Sequence, residues 1–270
     1  MPTASDAGTR VIAADGTSTD GQRCLPTEVP INFVYGGIPF AVMMASPADI
    51  EDFAYGFSLT EGIIGHPDEI RGMRIEAVER GWLCSMDLTA ERLHDHLARK
   101  RAMAGRTGCG LCGIDDLASL PASPAPALPG PEVRAAAIRH ALAALEREQP
   151  LNDRTRAVHA AAWARFDGQV DCVREDVGRH NALDKLIGSL ARRGTDPAEG
   201  FVIVTSRCSF ELVEKTAAFG ARILVALSAP TAFALERAQA LDMVLVAIAR
   251  HDTMTVFHGS ERIDASGTLP

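Results

Sequence analysis

The stretch Phe201-Val-Ile-Val-Thr-Ser-Arg-Cys-Ser-Phe-Glu-Leu-Val-Glu-Lys-Thr-Ala-Ala-Phe-Gly220 decides the fold. Phe201 to Thr205 is a short apolar run without alternation, the pattern of a strand buried on both faces. Ser206-Arg207-Cys208-Ser209 turns the chain, and Phe210 to Phe219 then repeats apolar residues at helical spacing until Gly220 ends it. The unit recurs downstream. Ile223 to Leu227 passes through Ser228-Ala-Pro-Thr231 into a helix from Ala232 to Ala240, and Met243 to Ala249 runs into Arg250-His251-Asp252. Upstream, Ala160 to Phe166 and Val170 to Arg174 flank Asp167-Gly168, a two-residue hairpin turn. A helix with Ala182, Leu183, Leu186, Ile187 and Leu190 on one face follows, capped by Asp176. Strands alternating with amphipathic helices predict an α/β domain over 132–270, its sheet mixed but mostly parallel and covered by helices.

Working towards the N-terminus, Pro121 to Pro131 holds five prolines in eleven residues and sustains neither regular element, so 121–131 reads as a linker. Residues 28–120 form a smaller α+β domain. Alternating Val29, Ile31, Phe33 and Tyr35, the pair Gly36-Gly37, and alternating Ile38, Phe40, Val42 and Met44 give a hairpin. Ser46 as N-cap and Pro47 at the first position open a helix through Ile50, Phe53 and Phe57, ending at Gly62. A second hairpin crosses Arg80-Gly81, and a polar helix spans Glu91 to Lys100. Residues 1–27, rich in Thr, Ala, Ser and Gly, read as disordered.

The chain has 270 residues, enough for two modest domains, with 47% hydrophobic and 23% charged residues. A net charge of −8 argues against nucleic-acid binding. There is no signal-peptide pattern, and Met243 to Ala249, the longest apolar run, is far short of a membrane span. Six cysteines without an export signal read as reduced thiols of a cytoplasmic protein.

Two of these thiols carry chemistry. In Arg106-Thr-Gly-Cys109-Gly-Leu-Cys112-Gly113, glycines flank each cysteine and Arg106 lies three residues before the first. A nearby cation and exposure favour the thiolate, so Cys109 reads as the leading nucleophile and Cys112 as its partner. Cys172 and Cys208 read as core thiols, and His159 as a buried histidine. In an open α/β sheet, ligands sit beyond the carboxyl ends of the strands. Here those ends open helices at Arg174–Asn181, Ser206–Ser209 and Ser228–Thr231. Free backbone N–H groups there favour phosphate, and Arg179, Arg207 and Arg250 add cationic donors. A phosphate-bearing ligand is the expectation.

The chain resembles the FdhD family of sulfur-carrier proteins, accessory sulfurtransferases for formate dehydrogenase. The matching stretches run from about Glu28 to Ile263. They are Ala41 to Ala45, Gly56-Phe57, Glu61-Gly62, Arg106 to Gly113, His159 to Trp163, Ser228 to Thr231 and, most specific, Glu175-Asp-Val-Gly-Arg-His-Asn-Ala-Leu-Asp-Lys185. The resemblance implies that a cysteine desulfurase loads persulfide sulfur onto Cys109 and Cys112. The sulfur then passes to molybdenum in the bis(molybdopterin guanine dinucleotide) cofactor. It also implies a homodimer, a cytidine-deaminase-like C-terminal domain, and a cofactor-binding segment at Ile248, Ala249, Arg250, His251, Asp252 and Thr253. Arg179, His180, Ser206, Arg207, Ser228 and Thr231 complete the expected cofactor site.

Two other classes compete. A pure chaperone would bind the guanine-dinucleotide cofactor without chemistry and would tolerate serine at both cysteines. A zinc deaminase needs His-x-Glu with Pro-Cys-x-x-Cys. His180-Asn181-Ala182 lacks the glutamate and Ser206 to Glu211 has one cysteine, so no zinc is expected. A structural zinc held by the C-x-x-C lacks a second ligand pair.

Overall fold

The structure, a computed structural model, describes residues 1–101, 130–250 and 252–266, with side chains through residue 95 in the first stretch. The chain opens with β1 (Ala4–Ile12) and β2 (Ser18–Pro26), which pair antiparallel as a separate hairpin. Residues 1–27 are therefore not a structureless leader. Asp15 and Gly16 make the turn: Gly16 takes φ +84°, and Asp15 Oδ1 accepts from Thr17 N at 3.0 Å. Arg10 Nε donates to Asp20 Oδ1 across the strands at 2.7 Å. Both faces are mostly exposed, even at Val11, Ile12 and Leu25, so no buried stripe marks the strands and the composition reads as disorder; within the hairpin Ala4 alone is buried, against Leu151 and Val158.

Next come β3 (Val29–Tyr35), β4 (Ile38–Ala45), α1 (Ile50–Thr60), β5 (Ile70–Val78), β6 (Gly81–Leu88) and α2 (Ala90–Arg101). The strands order as β4-β3-β6-β5, with both expected hairpins antiparallel and β3 parallel to β6. Ile31, Phe33 and Tyr35 point to the face that α1 covers with Ile50, Phe53 and Phe57. Phe33 and Phe57 stack at 4.9 Å, and Phe53 meets Phe33 edge-on at 5.1 Å.

The second unit runs β7 (Val133–Arg134), α3 (Ala135–Leu145), α4 (Pro150–Thr155), β8 (His159–Arg165), β9 (Val170–Asp176), α5 (Arg179–Arg192) and β10 (Gly200–Val204). It continues with α6 (Phe210–Phe219), β11 (Ile223–Ala226), α7 (Ala232–Ala240), β12 (Val244–Ala247), β13 (Thr255–His258) and β14 (Ile263–Asp264). The main sheet orders as β13-β12-β11-β10-β8-β9 among the described residues. Only β10–β11 and β11–β12 are parallel; β8–β10, β8–β9 and β12–β13 are antiparallel. The expectation of a mostly parallel sheet is thus corrected. The tight turn at Asp167-Gly168 forces β9 antiparallel to β8, whereas helices carry the chain over to β11 and β12.

Near-continuous apolar strands follow from burial on both faces. Phe201 and Ile203 face α3, with Ile138 and Leu142; Val202 and Val204 face α5 to α7, with Leu186 and Leu212.

The two units meet at α1 and α5, which cross at glycines. A Cβ on Gly56 would lie 1.7 Å from the Asp184 carbonyl oxygen, and one on Gly188 would lie 1.9 Å from that of Asp52. Buried charges ring the crossing. Asp52 accepts from Arg174 Nη2 at 2.7 Å and Arg192 Nη1 at 2.6 Å. Asp184, 1% exposed, accepts from Thr60 Oγ1 at 2.7 Å and Lys215 Nζ at 2.9 Å. Burial pushes the Asp184 carboxyl up, against the pull of Lys215.

Ser46 is not the cap of α1. That position falls to Asp49, at φ 51° and without a side-chain cap bond, because Ser46 is fully buried against the second unit. Asp176 is likewise not the cap of α5; Gly178 is. The Pro-rich expectation at 121–131 lies outside the described residues as far as 129.

Candidate functional site

Because β8 runs antiparallel to β10, its start lies beside the carboxyl end of β10: Thr205 N donates to Ala160 O at 3.0 Å and Ala160 N to Thr205 Oγ1 at 2.9 Å. One rim of the sheet therefore carries the end of β9, the start of β8 and the ends of β10, β11 and β12. At strand spacing this spans about 19 Å. Lateral bonds join its turns. Cys208 N donates to Ala229 O at 3.2 Å, Thr231 N to Cys208 O at 2.9 Å, and Ile248 N to Ser228 O at 3.2 Å.

Arg179 and His180 open α5. Arg179 Nε and His180 Nε2 are buried with no hydrogen-bond partner among the described residues. His180 Nε2 lies 3.7 Å from Glu211 Oε2, an ion-pair distance beyond hydrogen-bond reach. The imidazole holds the Glu211 carboxyl down at about 2, against the opposing effect of burial. His159 is half-buried, and burial followed by the Arg179 charge lowers its pKa. His159, on β8, thus lies within electrostatic reach of Arg179 and His180 on α5, and Glu211, on α6, stands beside His180. The sequence signal for Glu211 is a carboxylate three residues beyond Cys208, in the first turn of a helix that starts at the rim.

The other expected residues divide. Arg207 is exposed on its turn. Ser206 is buried and donates to Arg207 O at 3.0 Å, so its hydroxyl shapes the turn. Thr231 caps α7, accepting from Ala234 N at 3.2 Å. Ser228 contributes its carbonyl to the lateral bonds. Ile248 is 44% exposed and takes φ 51°, a left-handed backbone that β-branched residues avoid. Ala249 is buried, with its N–H bonded to Ala226 O at 3.2 Å, and cannot offer a side chain to a ligand. Arg250 is exposed and donates through Nη1 to the carbonyls of Leu227 and Ala249. Asp252 and Thr253 are exposed, and His251 lies outside the described residues, as do Cys109 and Cys112. Cys208 is buried, and burial pushes its thiol up to about 12, as expected of a core thiol. Among the described residues no group of three His, Cys, Asp or Glu is placed to hold a metal ion. No described helix is long and apolar enough to cross a membrane.

Fold and rim together define a mixed α/β protein in which three helix N-termini and a set of cations converge on one sheet edge. A search of known families matches residues 26–264 to the FdhD/NarQ family, and the chain belongs to that family. It is 45% identical over 248 residues to the sulfur carrier protein FdhD of Bordetella petrii, covering 92% of this chain and 89% of that one. The same-named proteins of Xanthomonas euvesicatoria and Cupriavidus necator are 43% and 45% identical over 92% and 90% of this chain, and over 89% and 84% of their own lengths. Among solved structures, a protein assigned as a formate dehydrogenase accessory protein from Desulfotalea psychrophila superposes with a TM-score of 0.76 at 24% identity. That match covers 97% of this chain and all of that one, and it shows the fold.

Proposed function

We propose that this chain is a sulfur carrier in the maturation of formate dehydrogenase, acting as a sulfurtransferase towards the molybdenum bis(guanine dinucleotide) cofactor. The observation that carries this reading is its likeness, at 43–45% identity over about nine-tenths of its length, to proteins named as sulfur carriers. The Cys109 thiolate attacks the outer sulfur of a cysteine desulfurase persulfide. The S–S bond to the donor breaks, the donor leaves as a thiolate, and Cys109 holds the sulfane sulfur. Attack by the Cys112 thiolate on Cys109 Sγ expels the outer sulfur as hydrosulfide to the metal of the acceptor. A disulfide remains, which a thiol reductant resets.

The acceptor's diphosphate suits the rim, where Arg179, His180 and Arg207 offer donors beside the first turns of α5 and α6. Arg250, tied to carbonyls, shapes the wall. The second unit is read as a cytidine-deaminase-like layout from which the zinc ligands have gone, and the protein as a cytoplasmic homodimer. A chaperone without sulfur chemistry is the competing reading, and the thiols separate the two. Mass spectrometry after incubation with a desulfurase and cysteine should find one added sulfur on Cys109 or Cys112. Cys109→Ala should keep the native circular dichroism and lose formate dehydrogenase maturation; full maturation by that variant rejects the mechanism.

A further inference from the structure

The first turn of α5 is tied down by a buried carboxylate that the proposed chemistry does not use. Asp176 ends β9 with no exposed surface. Its Oδ1 accepts from Gly178 N at 2.8 Å and Asn181 Nδ2 at 2.9 Å. Its Oδ2 accepts from Ser46 N at 2.9 Å and lies 2.7 Å from Lys185 Nζ. Lys185 is itself fully buried and donates to Ser46 O at 3.0 Å. Ser46 Oγ accepts from Val177 N at 3.2 Å, and Asn181 Nδ2 donates to Met44 O at 2.8 Å. Every backbone N–H from Val177 to Gly178 thus ends on Asp176 or on Ser46 of the first unit.

Burying an ion pair is a poor route to stability alone, since an apolar pair of similar size often serves as well. What the pair adds is direction. It fixes the turn immediately before Arg179 and His180, whose buried Nε and Nε2 make no hydrogen bond among the described residues.

We infer that Asp176 is a positioning residue for nucleotide binding. Together with Lys185 and Ser46 it holds Arg179 and His180 at the rim, and it makes affinity for a nucleoside diphosphate depend on the docking of the first unit against α5. This rests on the reading of the rim as the nucleotide site, and the experiment separates the two.

Guanosine diphosphate binding is measured by calorimetry on the full chain, alongside the melting temperature of each variant. Asp176→Asn should weaken binding about tenfold or more in protein that circular dichroism shows to be folded, because a charge-assisted contact to the turn is lost. Ser46→Ala, which removes only the acceptor for Val177 N, should fold and weaken binding about threefold. Asp184→Asn breaks the neighbouring buried pair away from the turn. It should lower the melting temperature and leave affinity within about twofold. Unchanged affinity in Ser46→Ala and in folded Asp176→Asn, or an equal loss in Asp184→Asn, overturns the positioning role. If Asp176→Asn does not fold, Ser46→Ala decides. No binding by the native chain overturns the nucleotide reading itself, and the positioning role with it.

Discussion

The two ends of the rim are built on opposite plans. At the Asp176–His180 end, a buried carboxylate accepts from the Gly178 N–H and the Asn181 amide, and Arg179 Nε and His180 Nε2 make no hydrogen bond among the described residues. At the Ile248–Thr253 end, Arg250 Nη1 is bonded to two carbonyls, Arg250 N closes the turn on Thr253 O at 2.7 Å, and Ile248 is bent into the left-handed region. The first end has its scaffold supplied from below and presents donors. The second uses part of its own arginine as scaffold and presents backbone, an exposed aliphatic group and the rest of that guanidinium. A cation at a strand end is therefore not by itself a binding group; what matters is whether something else holds the turn.

Gly56→Ala tests that dependence most severely. Its methyl would strike the Asp184 carbonyl, so α5 must move away from α1. Denaturant unfolding should show a loss of about 3 kcal/mol, with any folded protein disturbed at the Asp176 end and unchanged at the Ile248 end.

A subtler contrast lies in acid. Glu211 titrates at about 2 when folded, below the usual 4.5, so its ionised form favours the fold. That contribution is complete above about pH 4.5 and fades as the pH falls towards 2. Native protein should lose about 2 kcal/mol more stability than Glu211→Gln between pH 5 and pH 2, less than the full shift implies because the pair is partly exposed. Equal losses in the two proteins would mean that the His180 contact is absent in solution.

The smallest effect belongs to the other end. Ile248→Gly removes a left-handed penalty of about 1–2 kcal/mol and adds a glycine entropy cost of about 0.5–1, so the fold should gain about 0.5–1 kcal/mol. A loss instead would show that the exposed isoleucine side chain packs more than its surface indicates.

Local chemistry made much of this legible. The helix from Phe210 to Phe219 has the boundaries that Ser209 and Gly220 mark, and both hairpins of the first unit follow from period-2 runs around glycine pairs or Arg80-Gly81. The first hairpin escaped because its threonines, serines and aspartates are polar on both faces, so no burial pattern announces a strand. Ser46 looks like a helix cap in sequence because its partners, Asp176, Val177 and Lys185, lie 130 residues or more away. The rim cations were legible as residue types. Their surroundings were not, since Arg179 and Arg250 look alike until the carbonyls that Arg250 Nη1 meets are in place. Cys109 and Cys112, singled out by their flanking glycines, lie outside the described residues.

The glycine-on-glycine crossing of α1 and α5 also limits how such chains can recombine. A chimaera joining this first unit to a second unit from another lineage would bring Gly56 against whatever residue stands at 188. Any side chain there strikes a carbonyl oxygen of the opposing helix. Exchange of halves is open only between parents that keep glycine at both positions.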